Sequence, residues 1–205
     1  MTASDSTTPV TPGQATRLMK LATYAAVGTA CLLVAVKAGA WAMTQSVSVL
    51  STLVDSMLDA VASLINLLAV RHALQPADAE HRFGHGKAEP LAGLGQAAFV
   101  AGSGLFLLVQ VADRLLYPRA VGHGAVGIAV MLFAIVATVA LVSFQRYVVR
   151  RTRSLAISAD SLHYVSDVLV NGGVIVALLL SVNLGWDLAD PLIGAGIAAY
   201  IVYSA

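Results

Sequence analysis

Apolar residues in this chain are gathered into long runs, and polar residues fall in short stretches between them. The first three runs are LATYAAVGTACLLVAVKAGAWAM (21–43), SVSVLSTLVDSMLDAVASLINLLAV (46–70) and PLAGLGQAAFVAGSGLFLLVQVA (90–112). The fourth is AVGIAVMLFAIVATVALVSF (125–144), and VSDVLVNGGVIVALLLSVNLGW (165–186) is the core of a fifth. A hydrocarbon layer about 30 Å thick takes about 20 helical residues to cross, which all five runs satisfy. DPLIGAGIAAYIVYSA opens a sixth that stops 15 residues after Asp190. The pattern predicts an all-α membrane protein, a bundle of six transmembrane helices with the sixth cut short. The first run starts some 20 residues from Met1 and is longer than the apolar region of a cleavable signal peptide. Residues 1–17, rich in Ser, Thr and Pro, read as a disordered cytoplasmic tail, and 18–205 as the transmembrane domain.

Composition agrees. The chain is 58% hydrophobic and 11% charged, which excludes an ordinary soluble domain. The lone cysteine, Cys31, rules out an intrachain disulfide. Of the twelve basic residues, Arg17, Lys20, Arg71, Arg82, Lys87, Arg146, Arg150, Arg151 and Arg153 lie on one side of the expected bundle. Only Arg114 and Arg119 lie on the other. This asymmetry makes both termini and the 71–89 and 145–154 loops cytoplasmic, and it marks topology rather than nucleic-acid binding. Lys37 lies near the outer end of the first span, where its stem can snorkel to the interface.

The chemistry begins with two carboxylates inside the second span. Asp55 and Asp59 are four residues apart on one helix face, with no lysine or arginine between Ser46 and Val70. An aspartate near the bilayer centre costs about 2.5–3.5 kcal/mol, so such a pair persists when protons or a cation occupy it. A second pair, His163 and Asp167, shows the same spacing in span five. Facing each other, the pairs would converge three carboxylates and one imidazole, donors that a tetrahedral divalent cation accepts. Asp160, one turn before His163, reads either as a further polar group or as a cap on its helix. Gly93, Gly95, Gly102, Gly104, Gly172 and Gly173 suit close helix packing.

The densest polar stretch is QPADAEHRFGHGKAEP (75–90). Asp78, His81 and His85 stand at spacings of three and four, with Gly84 and Gly86 giving the backbone freedom. Three borderline donors on a short loop can bind a divalent metal with a fourth position open, but the same composition also fits a solvated loop. His72 and His123 have no partner at ligand spacing and read as interfacial. Asp113, Asp187 and Asp190 flank span ends as solvated groups.

SVSVLSTLVDSMLD, QPADAEHRFGHGKAE and LHYVSDVLVNGG together resemble the matching segments of the cation diffusion facilitators, in particular their bacterial zinc/iron-efflux branch, over a stretch from about residue 18 to the last residue. The resemblance implies a metal/proton antiporter of the inner membrane, not an enzyme, with an intramembrane site at Asp55, Asp59, His163 and Asp167. It implies a second site at Asp78, His81 and His85, and a place for Lys87 in a salt-bridge network near a dimer interface. Members of the branch usually continue into a cytoplasmic metal-binding domain that dimerises as a homodimer, and the resemblance leads to the expectation that this chain lacks that domain. Zn²⁺ is the expected cargo, with Cd²⁺ or Fe²⁺ also compatible with an oxygen-rich site. No organic cofactor and no nucleic acid are expected.

Rival chemistries lack their signatures: no Gly-x-Gly-Asp accompanies the membrane aspartates, and no HExxH is present. A membrane metal sensor or scaffold that binds without transporting stays open on sequence alone.

Overall fold

The computed structural model describes residues 11–45, 47–116, 125–184 and 188–205. Residues 1–10 of the expected tail, Arg119, His123 and Asp187 lie outside the described residues, as do the side chains of Arg114 and Asp190. Six helices follow in order: α1 (Pro12–Thr44), α2 (Val47–Ala73), α3 (Ala88–Leu116), α4 (Ala125–Thr152), α5 (Leu155–Leu184) and α6 (Ala189–Ser204). Stretches of α1 to α4 are long and apolar enough to cross a membrane. At 30 residues α5 spans about 45 Å, whereas α6, at 16 residues, spans about 24 Å. The protein is a multi-pass helical membrane bundle.

The helix ends depart from the pattern of apolar runs. Helix α1 begins at Pro12, inside the segment expected to be disordered. Thr11 and Gln14 close a capping box, the Gln14 amide donating to Thr11 Oγ1 at 3.4 Å and the Thr11 amide to Gln14 Oε1 at 3.1 Å. Proline at the first helical position supports the same start. Between spans four and five the expected basic loop is almost all helix, with α4 running to Thr152 and α5 starting at Leu155. Arg153, at φ 55°, reverses the chain, and Ser154 Oγ accepts from the Ile157 amide at 3.3 Å to start α5. Hydropathy marks the length that lipid covers, and a helix of good formers such as arginine can continue beyond it.

One end of the bundle gathers the start of α1, the end of α2, the starts of α3 and α5, and the end of α4. Met19, Ala22, Val70, Val148, Ala156 and Ile157 form its apolar plug, with Leu74 and Ala92 packed against them. At the same end Glu89, in the first turn of α3, accepts from the Leu155 amide at 3.0 Å. Helix α1 packs on α2 and α4, while α3 and α5 pack on each other and on α6. The inward stripe of α1 is Met19, Ala22, Ala26, Ala30, Leu33, Lys37 and Ala40, a three-and-four spacing whose alanines allow close approach. Leucines such as Leu58, Leu94, Leu105 and Leu179 point outward, as a lipid solvent permits.

The glycines divide. A Cβ on Gly104 would meet Ile201 and Val202 of α6 at 2.9 and 2.8 Å, and one on Gly173 would meet Ile193 and Ile197. Gly93 lies tight against the start of α5, 3.4 Å from the Leu155 carbonyl oxygen. Gly95, Gly102 and Gly172 face open space, so close packing accounts for half of the six. Gly104→Leu is expected to lower the detergent-solubilised melting temperature through overpacking worth about 1–3 kcal/mol. Gly102→Leu, two residues away on the open face, is expected to leave it within error.

Candidate metal centre

Two helices supply the central group. Asp59 projects from α2 and His163 and Asp167 from α5, with one donor atom of each lying within 4.8 Å of the other two. His163 Nε2 stands 3.1 Å from Asp59 Oδ1 and 3.8 Å from Asp167 Oδ2. The imidazole is buried, and its Nε2 closes no hydrogen bond with either carboxylate. A tetrahedral Zn²⁺ with bonds of 2.0–2.2 Å needs donors about 3.4 Å apart, which these two separations bracket. The group could hold a divalent cation with little rearrangement.

Surrounding residues fix the imidazole. The Phe99 ring meets it edge-on with centroids 5.4 Å apart. Tyr164, fully buried beside it, shares a 2.7 Å hydrogen bond with Ser63 of α2, and its hydroxyl lies 3.3 Å from the Ala26 carbonyl of α1. The backbones of α2 and α5 touch little. The two helices meet through these polar side chains rather than through a packed apolar seam.

Asp55 does not join the group. It is exposed on α2 one turn from Asp59, a rise of about 6 Å, so one carboxylate of the pair reaches the imidazole and the other does not. Lys37 differs more sharply from expectation. It does not snorkel outward; it is buried, and its Nζ donates to Ser56 Oγ at 2.6 Å and to the Thr52 carbonyl at 3.1 Å. Its place in the inward stripe of α1 is the sequence signal that marks this direction.

Asp160 is not a cap. It sits fully inside the bundle, where Gln145 Nε2 donates to Oδ2 at 2.6 Å and Gln96 Nε2 approaches Oδ1 at 3.5 Å. This carboxylate ties α3, α4 and α5 together one turn on the loop side of His163. Gln96 and Gln145 carry no motif, and only their burial together reveals them.

The polar loop gathers a second group. Asp78 Oδ1 lies 3.3 Å from His81 Nδ1, and Asp78 Oδ2 lies 3.5 Å from His85 Nε2, again spanning the tetrahedral separation. Gly84, at φ 76°, makes the turn between the two histidines; Gly86 needs no such angle. His72, expected to stand alone, packs its ring edge-on against His85 with centroids 4.4 Å apart. Lys87 is exposed at the entry to α3 and makes no ion pair among the described residues.

Fold and site together define a polytopic membrane protein with acidic and imidazole donors gathered at two places, one inside the bundle and one on a loop. The Cation efflux transmembrane domain family matches residues 23–205, and the chain belongs to that family. It is 53% identical to the cation-efflux pump FieF of Klebsiella pneumoniae over 189 residues, covering 92% of this chain and 63% of the relative. The cation-efflux pumps FieF of Citrobacter koseri and Salmonella choleraesuis are 53% and 51% identical over the same shares. The chain thus spans 63% of the length of the curated relatives it matches.

The loop turn carries a pH dependence. The His81 amide, donating to Asp78 Oδ1 at 2.6 Å, holds the carboxyl below the ordinary carboxylate range, helped by the His81 ring and the Glu80 amide. A carboxyl whose folded value is depressed contributes stability above the unfolded value of about 3.9, and that stability is lost as pH falls through the folded one. The side-chain carboxyl carbon resonance of Asp78 should therefore titrate with a midpoint below the ordinary value of about 3.9. In Asp78→Asn that transition should vanish.

Proposed function

We propose that this chain is the transport domain of a metal cation/proton antiporter of the bacterial inner membrane, exporting Zn²⁺, and in second place Cd²⁺ or Fe²⁺, from the cytoplasm. The observation that carries this reading is the buried His163 Nε2, flanked by two carboxylates at 3.1 and 3.8 Å yet hydrogen-bonded to neither. Family membership and likeness to cation-efflux pumps support the same direction.

The coupling follows from the donors. Carboxylates and imidazole bind either a proton or a metal at the same lone pairs, so loading the site releases protons and protonation empties it. A cytoplasm-facing site takes the ion as protons leave. An outward-facing site meets higher proton activity, accepts protons at Asp59, His163 or Asp167, and lets the ion go. Alternating access requires α2 and α5 to move against each other, and their sparse direct packing suits that motion. The donor set contains no thiolate, so binding is weaker than at a structural cysteine site, as release demands. Asp78, His81 and His85 form a second, cytoplasmic metal site in this reading. A homodimer with Lys87 near its interface belongs to the same proposal.

The test is ⁶⁵Zn²⁺ uptake into proteoliposomes whose lumen is more acidic than the bath. Uptake should follow the pH gradient in the unmodified chain and fall to the level of empty liposomes in Asp59→Ala and His163→Ala. Saturable binding without gradient-driven uptake would replace transport with sensing or scaffolding. Uptake that survives both substitutions would place the cargo elsewhere.

A further inference from the structure

The transport reading leaves the buried Lys37 without a role. It occupies the inward stripe of α1, 8% exposed, and its Nζ is held by the Ser56 hydroxyl and the Thr52 carbonyl of α2. Ser56 lies between Asp55 and Asp59, and Thr52, Ser56 and Asp59 share one face of α2 at the three-and-four spacing of adjacent turns. The lysine head therefore sits one turn, about 4.5 Å of rise, from the Asp59 position. Its charge acts on Asp59, Asp167 and Asp55, each of which it reaches electrostatically. No other lysine or arginine lies on the membrane-embedded length of α2 or α5.

We infer, resting on the transport-site reading above, that Lys37 is a fixed counter-charge beside the intramembrane site, a positioning residue that tempers the site's hold on highly charged cations. Asp59 and Asp167 bring two negative charges to the group, with Asp55 a turn away on α2. The Lys37 ammonium, anchored one turn from Asp59, opposes any cation that enters. Lys37 thus weakens every cation in proportion to its charge, which aids release and penalises higher valence. The hydrogen bonds to Thr52 and Ser56 keep the ammonium at one height on α2 and out of the coordination shell.

Isothermal titration with Zn²⁺ and luminescence titration with Tb³⁺ on the purified chain test this. Both use a background in which His81→Ala and His85→Ala silence the loop. Lys37→Met should tighten Zn²⁺ by about tenfold or more. Because the Coulomb energy scales with ion charge, the gain for Tb³⁺ should be the three-halves power of that factor, about thirtyfold for a tenfold change. Lys37→Arg should behave as the unmodified chain. A purely structural lysine would shift both ions by one common factor or weaken both, and either result overturns the inference, as does an unchanged Zn²⁺ isotherm. Should Lys37→Met not be recovered folded, Lys37→Gln, which keeps a donor for Ser56 and Thr52, decides by the same ratio. A Zn²⁺ isotherm that survives Asp59→Asn defeats the transport-site reading and this inference with it. An isotherm that needs Asp59 but ignores Lys37 defeats only the inference.

Discussion

Charge inside a hydrocarbon layer must be matched by other charge, because no water is there to solvate it. Asp59, His163 and Asp167 obey that constraint by converging from two helices onto one point, with His163 Nε2 3.1 Å from one carboxylate and 3.8 Å from the other. Much of the polar architecture of the bundle is arranged around this group. Tyr164 and Ser63 join α2 to α5 beside it, Phe99 backs the imidazole, and Lys37 reaches in from α1. Asp160, one turn toward the loop end, meets the same constraint differently, through amide donors from Gln145 and Gln96. One buried carboxylate is thereby neutralised by fixed dipoles and serves as a tie between helices. The others, Asp59 and Asp167, are partly buried and flank an imidazole nitrogen that closes no hydrogen bond.

The mechanical character of the bundle fits this division. Its tight contacts are those of small residues: the alanine stripe of α1 against α2 and α4, and Gly104 and Gly173 against α6. Large side chains are mostly turned to lipid, where they gain nothing by burial because the solvent is itself apolar. Helices α2 and α5, which carry the candidate ligands, are held to each other by a few polar contacts rather than by a packed seam. A proton at His163 Nε2 could join one donor pair across these helices, whereas a divalent cation could join all three donors.

Much of the candidate site could be read along the chain. Two ionisable pairs at a spacing of four within apolar runs point to a candidate membrane site, because unmatched charge in a lipid-embedded helix is costly. The loop donors Asp78, His81 and His85 could be read as a cluster, though not distinguished from a solvated loop until their separations of 3.3 and 3.5 Å were known. Asp55 was legible as a donor, and its distance from the group was not, since a shared helix face says nothing of how far along the axis the partner helix lies. Lys37 was assigned to the interface because it lies near a span end. Its register with Ala26, Ala30, Leu33 and Ala40 outweighed that position, and the stripe carried it inward.

By itself, the sequence determined the number of apolar segments, their helical nature, the end of the bundle that gathers basic charge, and the residues able to bind a metal. These are local properties: hydropathy, periodicity and side-chain chemistry act within a turn or a span. Tertiary structure alone decided that Gln145 and Gln96 satisfy Asp160. It also decided that a lysine from α1 is held by Ser56 and Thr52 of α2, one turn from Asp59. Such placements depend on the rotation and height of one helix relative to another. Those are set by the packing of many small residues at once, and no stretch of one helix encodes them.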